Sequence, residues 1–349
     1  MVMVGLLATA RVPFGHPCRP CDLSSSALLT AFSRWDSRWY LSIARDGYSY
    51  SPSAQSNVTF SPLLPMLMRG LAGATGRVDD DTLLLAGLVV ANVALIVGLA
   101  YLVALARLEL DERAAQRSAL YLLIFPTTVF LSAVYPESLF LACAVATVLE
   151  ARRGRWWLAG TFAALGTLAR PFGIVLVIPL AVQIVADRAR GPLRPAHVSG
   201  ILLPVVAFLT WQAYLYRVSG DALVFLHGEL QWSQRPTVPV RSITDLLDPA
   251  VYGDPWIVAG ALILMTICVA LSWRLLHPAT AAYGAAMLLA VVSSGTLTSF
   301  PRYALAIFPA FLVLGALGRR RPVHLGYVGT AGALSIVLTA MFATWYWIG

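Results

Sequence analysis

The stretch Leu83-LLAGLVVANVALIVGLAYLVAL-Ala106 runs for 24 residues without a charge. At about 1.5 Å per residue, a helix of that length reaches about 36 Å, enough to cross a hydrocarbon core of about 30 Å. Its Leu, Val and Ala residues show no two-residue alternation, so the run reads as a membrane helix and not as a barrel strand. Working outward, similar runs recur near 118–134, 138–150, 156–169, 172–186, 198–216, 256–273, 279–293, 303–317 and 326–346. Several are short enough to require kinks or re-entrant turns. The composition agrees: 58% of residues are hydrophobic and only 12% charged, against roughly 25% charged in soluble domains. The sequence therefore predicts an all-α, polytopic transmembrane bundle of about ten spans.

The net charge of +8 is carried by arginine, as the chain contains no lysine. A basic balance is one mark of nucleic-acid binding, but the arginines sit between apolar runs. Arg107/Arg113/Arg117, Arg152/Arg153/Arg155, Arg188/Arg190/Arg194, Arg274 and Arg319/Arg320/Arg321 occupy every second connection. By the positive-inside rule these connections are cytoplasmic, and no nucleic-acid partner is expected. The intervening connections, 33–82, Tyr135–Glu137, Arg170–Pro171, 217–255 and 294–302, then face outward. Residues 1–32 read as an N-terminal segment with an incomplete first helix, 33–82 as a first outer loop bearing interfacial helices, and 83–349 as the bundle. No internal repeat supports an inverted-repeat transporter.

Cysteines supply no framework. Cys18 and Cys21 form one C-x-x-C without a second ligand pair, and Cys143 and Cys268 lie in apolar runs. Asp79-Asp80-Asp81-Thr82 precedes the first long run and reads as a helix cap before it reads as a metal motif. The Asn57-Val-Thr59 sequon matters only in a glycosylating compartment. No metal site or cofactor is expected.

The polar motifs collect on the predicted outer face. The first loop opens with Trp35-Asp-Ser-Arg-Trp-Tyr-Leu-Ser-Ile-Ala-Arg-Asp-Gly-Tyr48. In helical register Trp39, Ile43 and Tyr48 share a stripe, with Trp35 above it, as suits the headgroup level. Asp36 stands at the head of that helix, where an N-cap would stand. Arg170 and Arg302 sit at the edges of apolar runs, where an unpaired charge is costly. Snorkelling to the headgroups is the alternative use. Glu137 follows Pro136 at a helix start, and His227-Gly-Glu229 falls in an amphipathic part of the 217–255 connection.

Five blocks occur in order: the Trp35–Tyr48 string, Phe60-Ser-Pro-Leu-Leu-Pro65, Tyr135-Pro-Glu-Ser-Leu-Phe140, Arg170-Pro-Phe-Gly173 and Ser299-Phe-Pro-Arg-Tyr303. Together they resemble the PIG-V type mannosyltransferases, relatives of the enzyme that adds the second mannose to glycosylphosphatidylinositol. These belong to the C-type integral membrane glycosyltransferases. The resemblance implies a polyprenyl-phosphate sugar donor, a lipid or glycan acceptor, and inverting transfer, with Asp36 as general base. C-type enzymes place a complete transmembrane helix before the aspartate loop, and this sequence offers no clear one.

The chemistry is consistent with those residues. A phosphate ester leaves as a stable anion, so the second carboxylic acid that glycosidases need is dispensable. One carboxylate takes the acceptor's proton, and arginines hold the phosphate. Arg170 and Arg302 are therefore assigned to the donor phosphate, and Trp35, Arg38, Glu137, His227 and Tyr303 to substrate contacts. The expected location is a bacterial plasma membrane, with membrane lipids around the bundle and the site outward. The competing readings are a lipid or solute transporter or flippase, and a C-type transferase using another sugar or a protein acceptor.

Overall fold

The run at 83–106 lies within a 30-residue helix, Asp80–Glu109. Its N-cap is Asp79, whose carboxylate accepts from the Thr82 amide at 2.9 Å, as expected for an acidic residue beside free helix amides. Val89, Val93 and Ile96 lie exposed along this helix. Water would penalise such a stripe, whereas lipid matches it. A computed structural model of the chain describes residues 2–11, 22–188, 192, 194–232, 234–235, 237–246 and 255–349. Arg190 and the Cys18/Cys21 pair lie outside these residues, and among them there is no strand.

In chain order the helices are α1 (Val2–Arg11), α2 (Ala27–Phe32), α3 (Ser37–Asp46), α4 (Leu63–Ala74), α5 (Asp80–Glu109), α6 (Glu112–Leu123), α7 (Glu137–Arg152), α8 (Trp156–Ala169) and α9 (Val177–Asp187). They continue with α10 (Pro195–Ser219), α11 (Val224–Gln231), α12 (Pro239–Asp245), α13 (Pro255–Leu275), α14 (Pro278–Val292), α15 (Phe300–Tyr303), α16 (Phe308–Leu317) and α17 (Arg321–Ala343).

Each of the ten apolar runs contains a helix, and the protein is an all-α integral membrane bundle. By length and composition, four described helices are able to cross a membrane: α5, α10, α13 and α17. A fifth span arises if Phe300–Ala306 and Phe308–Leu317, bent by 78°, count as one. The other runs are shorter than a straight span requires. The 118–134 run is broken as well, because α6 stops at Leu123 and a 3-10 turn follows at Thr128–Leu131. Pro126 lies in that break, where a missing backbone donor stops a helix from continuing.

The bundle has two chemically distinct ends. At one, Glu109 closing α5 accepts from Arg152 at 2.9 Å, and the His277 amide before α14 donates to it at 3.1 Å. Arg117 of α6 donates to Gly315 of α16 at 2.7 Å, on the same side. The described residues of the arginine clusters follow the helix ends found here. At the other end lie the starts of α3, α5 and α7, the ends of α8, α14 and α17, and the whole of α11. This is where all five sequence blocks meet.

Candidate active site

Asp36 is delivered by a turn with an unusual backbone. Trp35 has φ +52°, a left-handed conformation that a bulky side chain avoids. Strain of that kind costs on the order of 1–3 kcal/mol. It is offset at both flanks, since the Tyr135 hydroxyl donates to the Arg34 carbonyl at 3.1 Å and accepts from the Asp36 amide at 3.0 Å. Two such bonds are together worth about 1–3 kcal/mol, enough to balance the strain. The neighbouring chain is pinned too: Ser37 Oγ donates to the Val134 carbonyl at 3.2 Å, and the Val134 amide to Phe32 at 2.9 Å.

Asp36 occupies the N-cap position of α3 but makes no side-chain cap bond. Its carboxylate instead accepts from Arg302 at 2.5 Å. The capping use weighed from sequence is therefore absent, and the carboxylate is spent on a residue 266 positions away. Arg302 also lies 3.5 Å from Glu137, which Arg170 approaches to 2.5 Å. The order Asp36–Arg302–Glu137–Arg170 alternates in sign, as buried charges must. Tyr303 lies between the two arginines: their guanidinium carbons stand 4.7 Å (Arg170) and 5.1 Å (Arg302) from its ring centre. The network is not saturated. Among the described residues, Glu137 Oε2 and the Nε atoms of Arg170 and Arg302 are buried without a hydrogen-bond partner.

Arg170 owes its position to Gly173. The Gly173 amide donates to the Arg170 carbonyl at 2.8 Å, and a Cβ at Gly173 would stand 2.3 Å from the Gly166 carbonyl oxygen. Only glycine lets the chain double back against α8 so tightly. A second glycine, Gly228, brings α11 against Val58 and Thr59, whose side chains would meet a Cβ at 2.7 and 2.8 Å.

Asp36, Arg170, Arg302, Tyr303 and Trp35 line one cavity of about 730 Å³. That lies within the usual range for small-molecule sites. Its apolar wall includes Ile174, Val175, Phe208 and Leu226, and Ser293, Ser294 and Thr298 add hydroxyls. Trp347 closes one side, stacked edge-on to Trp35 at 5.4 Å.

Two residues expected at the site are elsewhere. Arg38 is exposed over the Trp39 ring at 5.0 Å, because one residue after Ser37 the helix has turned its face outward. His227 is exposed and paired with Asp221 at 2.5 Å. On the same helix it is Glu229 that lines the cavity. Glu137 stands behind the two arginines and does not line the cavity itself. Tyr48 also leaves the stripe expected of it, because α3 ends before Gly47, and its hydroxyl donates to the Phe60 carbonyl at 2.5 Å.

Glu229, Tyr135 and Trp347 carry no site role in the sequence reading, although Glu229 and Tyr135 stand within its motifs. For Glu229 a usable signal existed, since it lies four residues after Phe225, and both line the cavity. Burial pushes its carboxyl up to about 7. Asn57 of the sequon is buried, with Oδ1 accepting from Ser49 at 2.9 Å and Nδ2 donating to Gly47 at 3.1 Å. Among the described residues no group of three or more His, Cys, Asp or Glu side chains is placed to hold a metal.

The fold is that of a C-type integral membrane glycosyltransferase. It matches the crystal structure of ArnT from Cupriavidus metallidurans bound to undecaprenyl phosphate with a TM-score of 0.57, at 19% identity, over 86% of this chain and 60% of that one. Residues 14–189, just over half of the chain, match the family Mannosyltransferase (PIG-V), and the chain belongs to that family. It is 32% identical over 171 residues to GPI alpha-1,6-mannosyltransferase 2 of Rattus norvegicus, covering 46% of this chain and 33% of the relative. The Cricetulus griseus protein of the same name is 33% identical over 169 residues, covering 45% and 32%. The alignment thus spans about a third of the length of these curated relatives.

Proposed function

We propose that this chain moves mannose from a polyprenyl-phosphate carrier to a hydroxyl of a lipid or glycan acceptor, with inversion, at the non-cytoplasmic face of its membrane. In a bacterium that face is the outer leaflet side of the plasma membrane. One observation carries the reading: a carboxylate and two buried arginines, from loops far apart in sequence, line the same cavity. The matched relatives are mannosyltransferases, which supports mannose as the sugar. The face is supported by the arginine-rich connections, which belong to the opposite end of the bundle.

The steps follow from the groups present. Asp36 accepts the proton of the acceptor hydroxyl as its oxygen attacks the sugar's anomeric carbon. The bond from that carbon to the phosphate oxygen breaks, and its electron pair leaves on the polyprenyl phosphate. Attack opposite the leaving group inverts the anomeric centre. Arg302 and Arg170, which both line the cavity, supply cationic donors for the departing phosphate. The Ile174, Val175 and Phe208 wall suits an isoprenoid tail. Glu229, across the cavity on α11, suits the acceptor side.

The test is transfer from radiolabelled polyprenyl-phosphate mannose in membranes holding the wild type or Asp36→Asn. The expected loss in the variant is on the order of a thousandfold. Equal rates in both would remove Asp36 as the base, and solute uptake without any transfer would favour a transporter.

A further inference from the structure

Tyr135 is fully buried and takes no part in the chemistry above. Its hydroxyl nevertheless reaches the two backbone groups that bracket Trp35, the Arg34 carbonyl at 3.1 Å and the Asp36 amide at 3.0 Å. The ring behind that hydroxyl is fixed by Phe130 at 5.0 Å and Phe342 at 6.0 Å, and the Arg302 guanidinium stands 5.5 Å from its centre. One side chain therefore touches both partners of the Asp36–Arg302 pair.

The consequence falls on Asp36. An aspartate at the head of a helix ordinarily turns back to bond the first free amides, and Asp36 does not. The left-handed Trp35 aims it elsewhere, and that conformation is one a tryptophan does not hold unaided. Resting on the transferase reading, we propose that Tyr135 is a positioning residue, whose hydroxyl holds the Arg34–Trp35–Asp36 turn left-handed and so keeps the Asp36 carboxylate facing Arg302 and the cavity instead of capping α3. The turn also carries its own bonds, the Ser37 amide to the Arg34 carbonyl at 3.2 Å and the Arg38 amide to the Trp35 carbonyl at 3.4 Å. Ser37 Oγ on Val134 and Arg34 on Ala343 at 3.1 Å tie the loop to its neighbours. Tyr135 adds the side-chain grip on both flanks of Trp35.

Tyr135→Phe removes the hydroxyl and keeps the ring. In membranes holding the full chain and their own lipid and glycan acceptors, fed radiolabelled polyprenyl-phosphate mannose, kcat should fall by about tenfold to a hundredfold. KM for the donor should stay within about twofold. Tyr283→Phe is the matched control, since that buried hydroxyl donates to the Ala306 carbonyl at 2.7 Å outside the cavity. It should leave kcat unchanged.

A double-mutant cycle separates aiming from mere support. Trp35→Gly lowers the rate by itself, since Trp35 lines the cavity. A glycine adopts positive φ without cost, so Tyr135→Phe in that background should lose at least about fivefold less than in the wild type. The proposal is overturned by full kcat in Tyr135→Phe, by an equal loss in Tyr283→Phe, or by equal losses in both Trp35 backgrounds. Should Tyr135→Phe be fully active while Asp36→Asn is dead, only the positioning role fails. Should Asp36→Asn transfer as fast as the wild type, Asp36 is not the base and this role falls with it; a wild type that transfers nothing ends the transferase reading itself.

Discussion

Glu109 and Glu137 are equally buried carboxylates at opposite ends of the bundle, with side chains 2% and 4% exposed. Glu109 is fully used: one oxygen accepts from Arg152 at 2.9 Å and Thr280 at 2.5 Å, the other from the His277 amide at 3.1 Å. Glu137 uses one oxygen for Arg170 and Arg302, and its second has no partner among the described residues. A buried polar network that is satisfied internally serves the fold, and one whose arginines line a cavity, as Arg170 and Arg302 do, can turn to a ligand. The difference between the two ends separates scaffold from site without reference to any relative.

The comparison breaks most visibly through stability. Glu109→Ala leaves the half-buried Arg152 unpaired and takes the acceptor from Thr280 and the His277 amide. At about 1.5–3 kcal/mol per bond to a charged group, the loss should exceed about 3 kcal/mol. Thermal unfolding should show that loss while kcat per folded molecule is unchanged. Arg302→Ala is the reverse case. It should lower turnover by on the order of 10²–10³, equivalent to about 2.7–4 kcal/mol, as read in the mannose-transfer assay.

Glycine substitutions sharpen the contrast at smaller scale. Gly173→Ala drives a Cβ to 2.3 Å from the Gly166 carbonyl oxygen. It should cost about 1–3 kcal/mol by overpacking and lower turnover by displacing Arg170. Gly70→Ala, in α4 with nothing within 4 Å of the added carbon, should stabilise by about 0.4–1 kcal/mol and leave turnover alone. Unfolding midpoints and rates on the two variants check both statements.

A pH-dependent contrast concerns Glu229. Its folded carboxyl is raised to about 7 by burial, against about 4.3 when unfolded. The folded state thus binds the proton more tightly, so stability is greatest below the unfolded value, falls as pH rises between the two, and levels off above about 7. Glu229→Gln should flatten that slope in melting temperatures measured from about pH 3.3 to about pH 8, roughly one unit outside each value.

Much of this architecture was legible in the sequence, for a physical reason. Lipid forces charges to the ends of apolar runs, so Asp36, Arg170 and Arg302 stood out as costly residues at run edges, and the structure brings them to one cavity. Span counting was less tractable, because α8 and α14 are apolar like α5 but too short for composition alone to decide. Tyr135 was invisible because its role depends on a φ angle at Trp35 that no local pattern encodes. Trp347 reaches the cavity by packing on Trp35, Arg302 and Phe130, contacts that no local pattern encodes. Arg38 and His227 lie off the cavity because of helix phase, which residue type alone does not give: α3 turns Arg38 outward, and α11 presents Glu229 in place of His227.

In the proposed function the arginine pair at the cavity end binds the carrier phosphate, and the arginines at the opposite end do not. Purified wild type, Arg302→Ala and Arg152→Ala, each titrated calorimetrically with polyprenyl phosphate, test it directly. The account predicts a Kd raised more than about tenfold, some 1.4 kcal/mol, in Arg302→Ala and unchanged in Arg152→Ala. Equal affinity in all three proteins, or equal loss in both variants, would contradict it.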